Sequence, residues 1–180
     1  MGLFDRLRGT DHPRVAFIGI DGVPFSLLEN HPEEFPNFAA LAEEGSAGAI
    51  ESIVPPESSA CWPALTTGVN PGETGVYGFQ DREIGSYDTY VPMGQDAQAP
   101  RLWDRLEEAD RTATVMNVLV TFPPQRNVQR MVSGFLSPGV DKAAYPDELR
   151  DYLQSVDYAI DVNAKLGHKE DKSEIGRAHV

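Results

Sequence analysis

The chain has 180 residues, enough for one domain with a substantial core and too few for two comfortable ones. A formal net charge of -13 argues against a nucleic-acid-binding surface, because phosphates must be neutralised by Lys and Arg, and a single cysteine excludes a disulfide framework or a multi-cysteine metal site. With no stretch near the roughly 20 apolar residues of a membrane span, and no signal-peptide pattern in MGLFDRLRGTDHPR, the expectation is a cytoplasmic protein without a membrane partner.

After an N-terminal extension over residues 1–13, RVAFIGID (Arg14 to Asp21) is a short continuous apolar run. It reads as a buried strand of a parallel sheet with Asp21 at its C-terminal end, the edge where open α/β sheets bind ligands. PNFAALAEEGSAG puts Pro36 at a first helical position, Phe38, Leu41 and Ala42 on one face, and a stop at Gly45. AGAIESIV (Ala47 to Val54) reads as a second strand, cut off by Pro55 and Pro56. In PPESSACWPALTTG, Ser58 and Ser59 are N-cap candidates for a helix over residues 60–67 that ends at Gly68. GVNPGETGVYGFQDREIGSYDTYVP is rich in Gly, Asn and Pro and reads as a long loop with one hairpin. A helix follows from Arg101 to Asp110, a clear buried strand from Thr112 to Val120, and a weaker strand from Arg130 to Leu136. The helix from Pro146 to Val156 has proline at its first position and acids in its first turn. Trp103, Leu106 and Leu102 read as core, Glu107 and Glu108 as a solvated helix face, and Asn117 as an internal hydrogen-bonding residue. Strands alternating with helices predict a parallel α/β sheet.

From the residues alone, Asp21 at the end of a first strand and Ser58 at a loop-to-helix junction after a second can face one crevice at the sheet edge. The Ser58 oxygen would lie beside the N–H groups of a helix N-terminus, which favours a phosphate. No histidine lies between residues 32 and 167 to serve as a base. A serine nucleophile here therefore needs a metal to lower its pKa, with Asp21 as one ligand. The competing reading makes Asp21 a turn acid before Gly22 and Ser58 an ordinary N-cap worth roughly 1 kcal/mol.

Four segments in order, FIGIDG, PPESSACWPALTTGVNPGETGVYGF, NVLVTFPP and MVSGFLSPG, cover roughly residues 14 to 140. Together they resemble the N-terminal signature of the alkaline phosphatase superfamily, in its branch of type I phosphodiesterases and nucleotide pyrophosphatases. The resemblance implies a parallel-sheet α/β/α sandwich, two divalent metal ions that are usually zinc, and a small-molecule phosphoester as substrate. It makes Asp21 a metal ligand and Ser58 the metal-bound nucleophile that becomes phosphorylated before hydrolysis by water. Ser59 is the fallback if the loop slips by one residue, and Trp62 falls on the family's tryptophan.

The chain departs from the family's pattern at several positions. Phe79, followed by Gln80, stands where nucleotide pyrophosphatases carry the asparagine that holds a phosphate oxygen, so nucleotide specificity is not implied. Thr74 stands where many relatives have histidine. Cys61 sits in CWPAL, which copies the Cys-x-Pro of sulfatases but has Leu65 in place of their arginine and lies out of register, so it reads as a small apolar residue on a buried helix face. The family's other ligands, an aspartate and histidines, arrive much further along. Of His12, His31, His168 and His179, none stands in those arrangements.

SEIGRAHV breaks the strand-helix rhythm, and IGRAHV resembles the translation of sequencing-adapter read-through. Residues 174–180 are therefore read as a non-native tail, and residues 14–173 as the N-terminal part of a catalytic domain, truncated and inactive by itself. The expected function of the whole is a metal-dependent phosphoester hydrolase acting through phosphoserine. Two alternatives are a non-catalytic scaffold domain of the same fold and a phosphosugar mutase relative. Acidity spread along the chain fits a halophilic setting, within a branch often seen in archaea.

Overall fold

The computed structural model describes residues 14–161. The N-terminal extension, the suspect tail, His12, His168 and His179 lie outside the described residues. The chain falls into two compact units, Met1–Glu51 and Ser52–Val180.

In the first unit the segment from Arg14 to Ile20 forms no strand, and Val15 and Ile18 are 85% and 76% exposed. The buried strand expected here is therefore corrected. A strand exists only where a neighbour satisfies its N–H and C=O groups, and the described residues of this unit contain no partner strand. Asp21 and Gly22 form a turn. Helix α1 (Phe25–Asn30), which the sequence did not signal, is followed by α2 (Pro36–Glu44), where Pro36 occupies the first turn as expected. The Gly45 N–H donates to Leu41 O at 3.0 Å and closes α2. Phe35 and Phe38 meet edge to face, with centroids 6.3 Å apart. The second expected strand, Ala47 to Val54, is likewise absent, with Ile50 and Val54 both exposed.

The second unit begins with α3 (Ser58–Thr67). Glu57, not a serine, holds the N-cap position, and its carbonyl accepts the N–H groups of Ala60 and Cys61 at 3.0 and 2.8 Å. Ser58 and Ser59 are thus the first two helical residues, which corrects their reading as caps. The helix ends as predicted at Gly68, in the left-handed region (φ 76°), whose N–H donates to Ala64 O at 2.8 Å. The long loop holds a short helix, α4 (Pro71–Thr74), and the expected hairpin of β1 (Asp81–Arg82) and β2 (Thr89–Tyr90).

Beyond it, α5 (Leu102–Glu108) is held at its start by the Asp104 carboxylate, which accepts the Arg101 N–H at 2.8 Å. Strands β3 (Thr114–Val118) and β4 (Arg130–Ser133) pair in parallel. After α6 (Val140–Ala143), β5 (Ala144–Tyr145) joins the other side of β4 antiparallel, and α7 (Asp147–Ser155) follows with Pro146 as N-cap, one position earlier than expected. Neighbouring residues of β4 point to opposite faces. Met131 packs with Trp103, Val115 and Val128, while Val132 packs with Ala144 and Leu153, so this strand is buried on both sides. Of the expected core trio Trp103 is buried, whereas Leu102 is half exposed.

The architecture is mixed α/β with a two-stranded and a three-stranded sheet. Among the described residues β3 and β4 are the one parallel pair, so the parallel-sheet expectation holds locally and not as a full sandwich.

Candidate active site

Parallel strands deliver their loops to one edge, and here the loops leaving β3 and β4 open onto a cavity of about 40 Å3. Leu119, Val120 and Phe122 come from the first loop and Phe135 and Leu136 from the second. Ser59, in the first turn of α3, belongs to the lining as well. Phe79 closes one wall by meeting Phe135 edge to face, centroids 6.1 Å apart and planes at 86°. Such a volume holds a few waters or one small group.

The strand edge carries its own hydrogen-bond frame. The Thr121 hydroxyl donates to Val118 O at 2.6 Å and accepts the Gly134 N–H at 3.3 Å, and the Ser133 hydroxyl donates to Thr121 O at 3.0 Å. The loops after β3 and β4 are thereby tied together just below the cavity.

Ser59 is 1% exposed, and its Oγ has no hydrogen-bond partner among the described residues. A buried hydroxyl left unsatisfied costs about 1–3 kcal/mol, so it marks a place where a ligand or water completes the structure. Ser58 precedes it, half-buried, at the start of α3, where the helix end favours a bound phosphate. Glu57 secures the facing loop: its Oε1 accepts the Phe79 N–H at 3.3 Å. Nothing in the sequence pointed to this contact, although an acid directly before a helix start was available as a signal.

Asp21 belongs to the first unit and Ser58 to the second, and Asp21 stands in the turn before Gly22. Cys61 is partly buried, with Sγ 3.7 Å from the Ser52 hydroxyl, and so is less enclosed than its expected place on a buried face. Asn117 sits at the irregularity of β3 in the left-handed region (φ 56°). Its side chain hydrogen-bonds Tyr158, whose phenol is pushed up by burial and drawn back by this bond, in keeping with an internal role. Glu107 and Glu108 are exposed as expected, with Glu107 accepting from Asn127 Nδ2 at 2.9 Å.

Residues 15–176 match the family described as type I phosphodiesterase / nucleotide pyrophosphatase. The chain belongs to this family, within the alkaline phosphatase superfamily. Neither curated proteins nor solved structures give a match to it. Membership indicates a hydrolase of the phosphodiesterase or pyrophosphatase type, acting on small phosphoesters. No helix among the described residues is long and apolar enough to cross a membrane.

The family is typically metal-dependent. Among the described residues, the group of three carboxylate or imidazole side chains close enough to share an ion is His31, Glu33 and Glu34, in the turn between α1 and α2. These are largely exposed, with the imidazole 3.8 and 4.0 Å from the two carboxylates. No comparable group surrounds Ser58, so the described residues alone do not fit a two-ion centre there.

Proposed function

We propose that the full-length protein is a metal-dependent phosphoester hydrolase in which Ser58 is the nucleophile, on a catalytic domain of the parallel-sheet α/β/α type. The observation that carries the reading is the cavity at the C-terminal ends of β3 and β4, lined by Ser59, the residue after Ser58, whose buried hydroxyl has no partner among the described residues. Asp21 and Ser58 are proposed as two of the metal ligands, the ions being zinc.

In the first step Ser58 Oγ attacks phosphorus, the bond to the leaving oxygen breaks, and the alcohol departs with the proton that the serine gives up. Water then attacks the phosphoserine, releasing phosphate or a phosphomonoester and restoring the Ser58 hydroxyl. The N-terminus of α3 favours the negative charge that gathers on the phosphoryl oxygens. Phe79 gives the site an apolar wall in place of an amide, which argues for simple esters over nucleotides.

A non-catalytic domain of the same fold is the second reading, and the described residues, which hold no metal-binding group around Ser58, are compatible with it as well. The two separate in one experiment on the full-length gene product, assayed with bis-p-nitrophenyl phosphate and p-nitrophenyl phosphate with added zinc. The hydrolase reading expects metal-dependent turnover that falls at least about 1000-fold in Ser58→Ala. No turnover and no bound zinc would leave the scaffold.

A further inference from the structure

Arg101 is a buried charge outside the chemistry of Ser58. It is 2% exposed, and burial lowers its pKa to about 10 against a smaller opposing effect of Asp104, so it stays charged at neutral pH. Its Nη2 donates to two carbonyls, Gly94 O at 3.2 Å and Val120 O at 2.6 Å, and its guanidinium lies 5.4 Å from the Trp103 ring centroid. Nη1 has no partner among the described residues.

One carbonyl belongs to a residue that lines the cavity and the other to the residue directly after a lining segment. Val91, Pro92 and Met93, which line it, lead directly into Gly94, while Val120 is itself a lining residue from the loop after β3. The two segments also touch through their backbones. The Gly94 N–H donates to Phe122 O at 2.7 Å, and a Cβ on Gly94 would fall 3.0 Å from the Thr121 carbonyl carbon.

We propose that Arg101 is a positioning residue for phosphoester binding: its guanidinium staples the Val91–Gly94 segment to the loop after β3 and so fixes the opening of the cavity that Ser59, next to Ser58 in the chain, helps to line. This rests on the reading of Ser58 as nucleophile. Stability alone is a poor reason for the arrangement. A buried cation bonded only to carbonyls is expensive to desolvate, and a hydrophobic side chain of similar volume often serves stability as well or better. The two N–H groups of Nη2, held in the guanidinium plane, by contrast span two carbonyls at fixed geometry.

The test compares Arg101→Met and Arg101→Lys with the parent in the full-length protein, by amide hydrogen exchange and steady-state kinetics. In Arg101→Met the Gly94 N–H should exchange at least about tenfold faster while the Met131 and Val132 amides of β4 stay as they were. KM for bis-p-nitrophenyl phosphate should rise about 3- to 10-fold with kcat within about twofold, since binding geometry and not the chemical group is disturbed. Arg101→Lys, which keeps the charge and three donors but not the planar guanidinium geometry, should recover part of both effects. Unchanged exchange at Gly94, or equal acceleration throughout β4, would overturn the staple. So would a fall in kcat at constant KM. A parent protein without turnover would sink the hydrolase reading instead, and the exchange of Gly94 would still decide for or against the staple.

Discussion

Ser58 and Ser59 are neighbours in sequence with different fates. Ser58 opens the helix, and Ser59 lines the cavity and carries a buried hydroxyl with no partner among the described residues. A Ser-Ser pair before a helical run announces a helix start but not which member caps it. The cap is Glu57, which also holds Phe79 from 22 residues away in sequence, a distance over which no local pattern speaks. Gly78 makes that contact possible, because a Cβ there would lie 2.8 Å from Glu57 Oε2. Gly78→Ala should therefore push the carboxylate aside and release the Phe79 N–H, at a cost of about 1 kcal/mol. Urea unfolding checks this, with Glu57→Ala as partner in a double-mutant cycle: the cost should largely vanish in that background. A full cost in both backgrounds would mean that the contact contributes nothing.

The elements that were legible share one property: their signals are local. The proline of α2, the stop at Gly68, the apolar run of β3 and the acids of α7 each act within a turn or a strand, and each element stands within a few residues of its expected place. The strands expected at Arg14 to Asp21 and Ala47 to Val54 depend on partners instead. An apolar run shows that a segment can be buried, not that a neighbour is there to pair with it. Helices α1 and α4 are six and four residues long, too short for the periodicity that reveals a helix. The closest packing between β3 and β4 was invisible because it joins residues far apart in sequence. A Cβ on Gly134 would lie 2.4 Å from Val118 O and 2.6 Å from Asn117 O, and a backbone carbonyl cannot swing away as a side chain does. Gly134→Ala should push β4 off the end of β3 and destabilise the protein by about 1–3 kcal/mol or more. A thermal melt matching the parent would refute the close approach.

On the scale of the molecule, family membership and the placement of the cavity converge. The sheet is buried on both faces at β4, and its parallel pair sends two loops to one edge, which is the edge where α/β proteins bind ligands. The family, the cavity and the serine-bearing helix thus lie on one stretch of chain that the sequence motifs already marked, whereas the metal ligands expected to complete it were not readable from that stretch. The net charge of -13 sets a demand on the proposed function: a phosphoester anion would have to be attracted locally, against the field of the whole. The most direct test is to quench the full-length protein during turnover of bis-p-nitrophenyl phosphate and map the phosphorylated peptide by mass spectrometry. Ser58 as nucleophile predicts one added phosphoryl-containing group on the peptide that contains it, localised by fragmentation to Ser58 and absent in Ser58→Ala. Modification of Ser59 or another residue, or turnover that survives in Ser58→Ala, would contradict it.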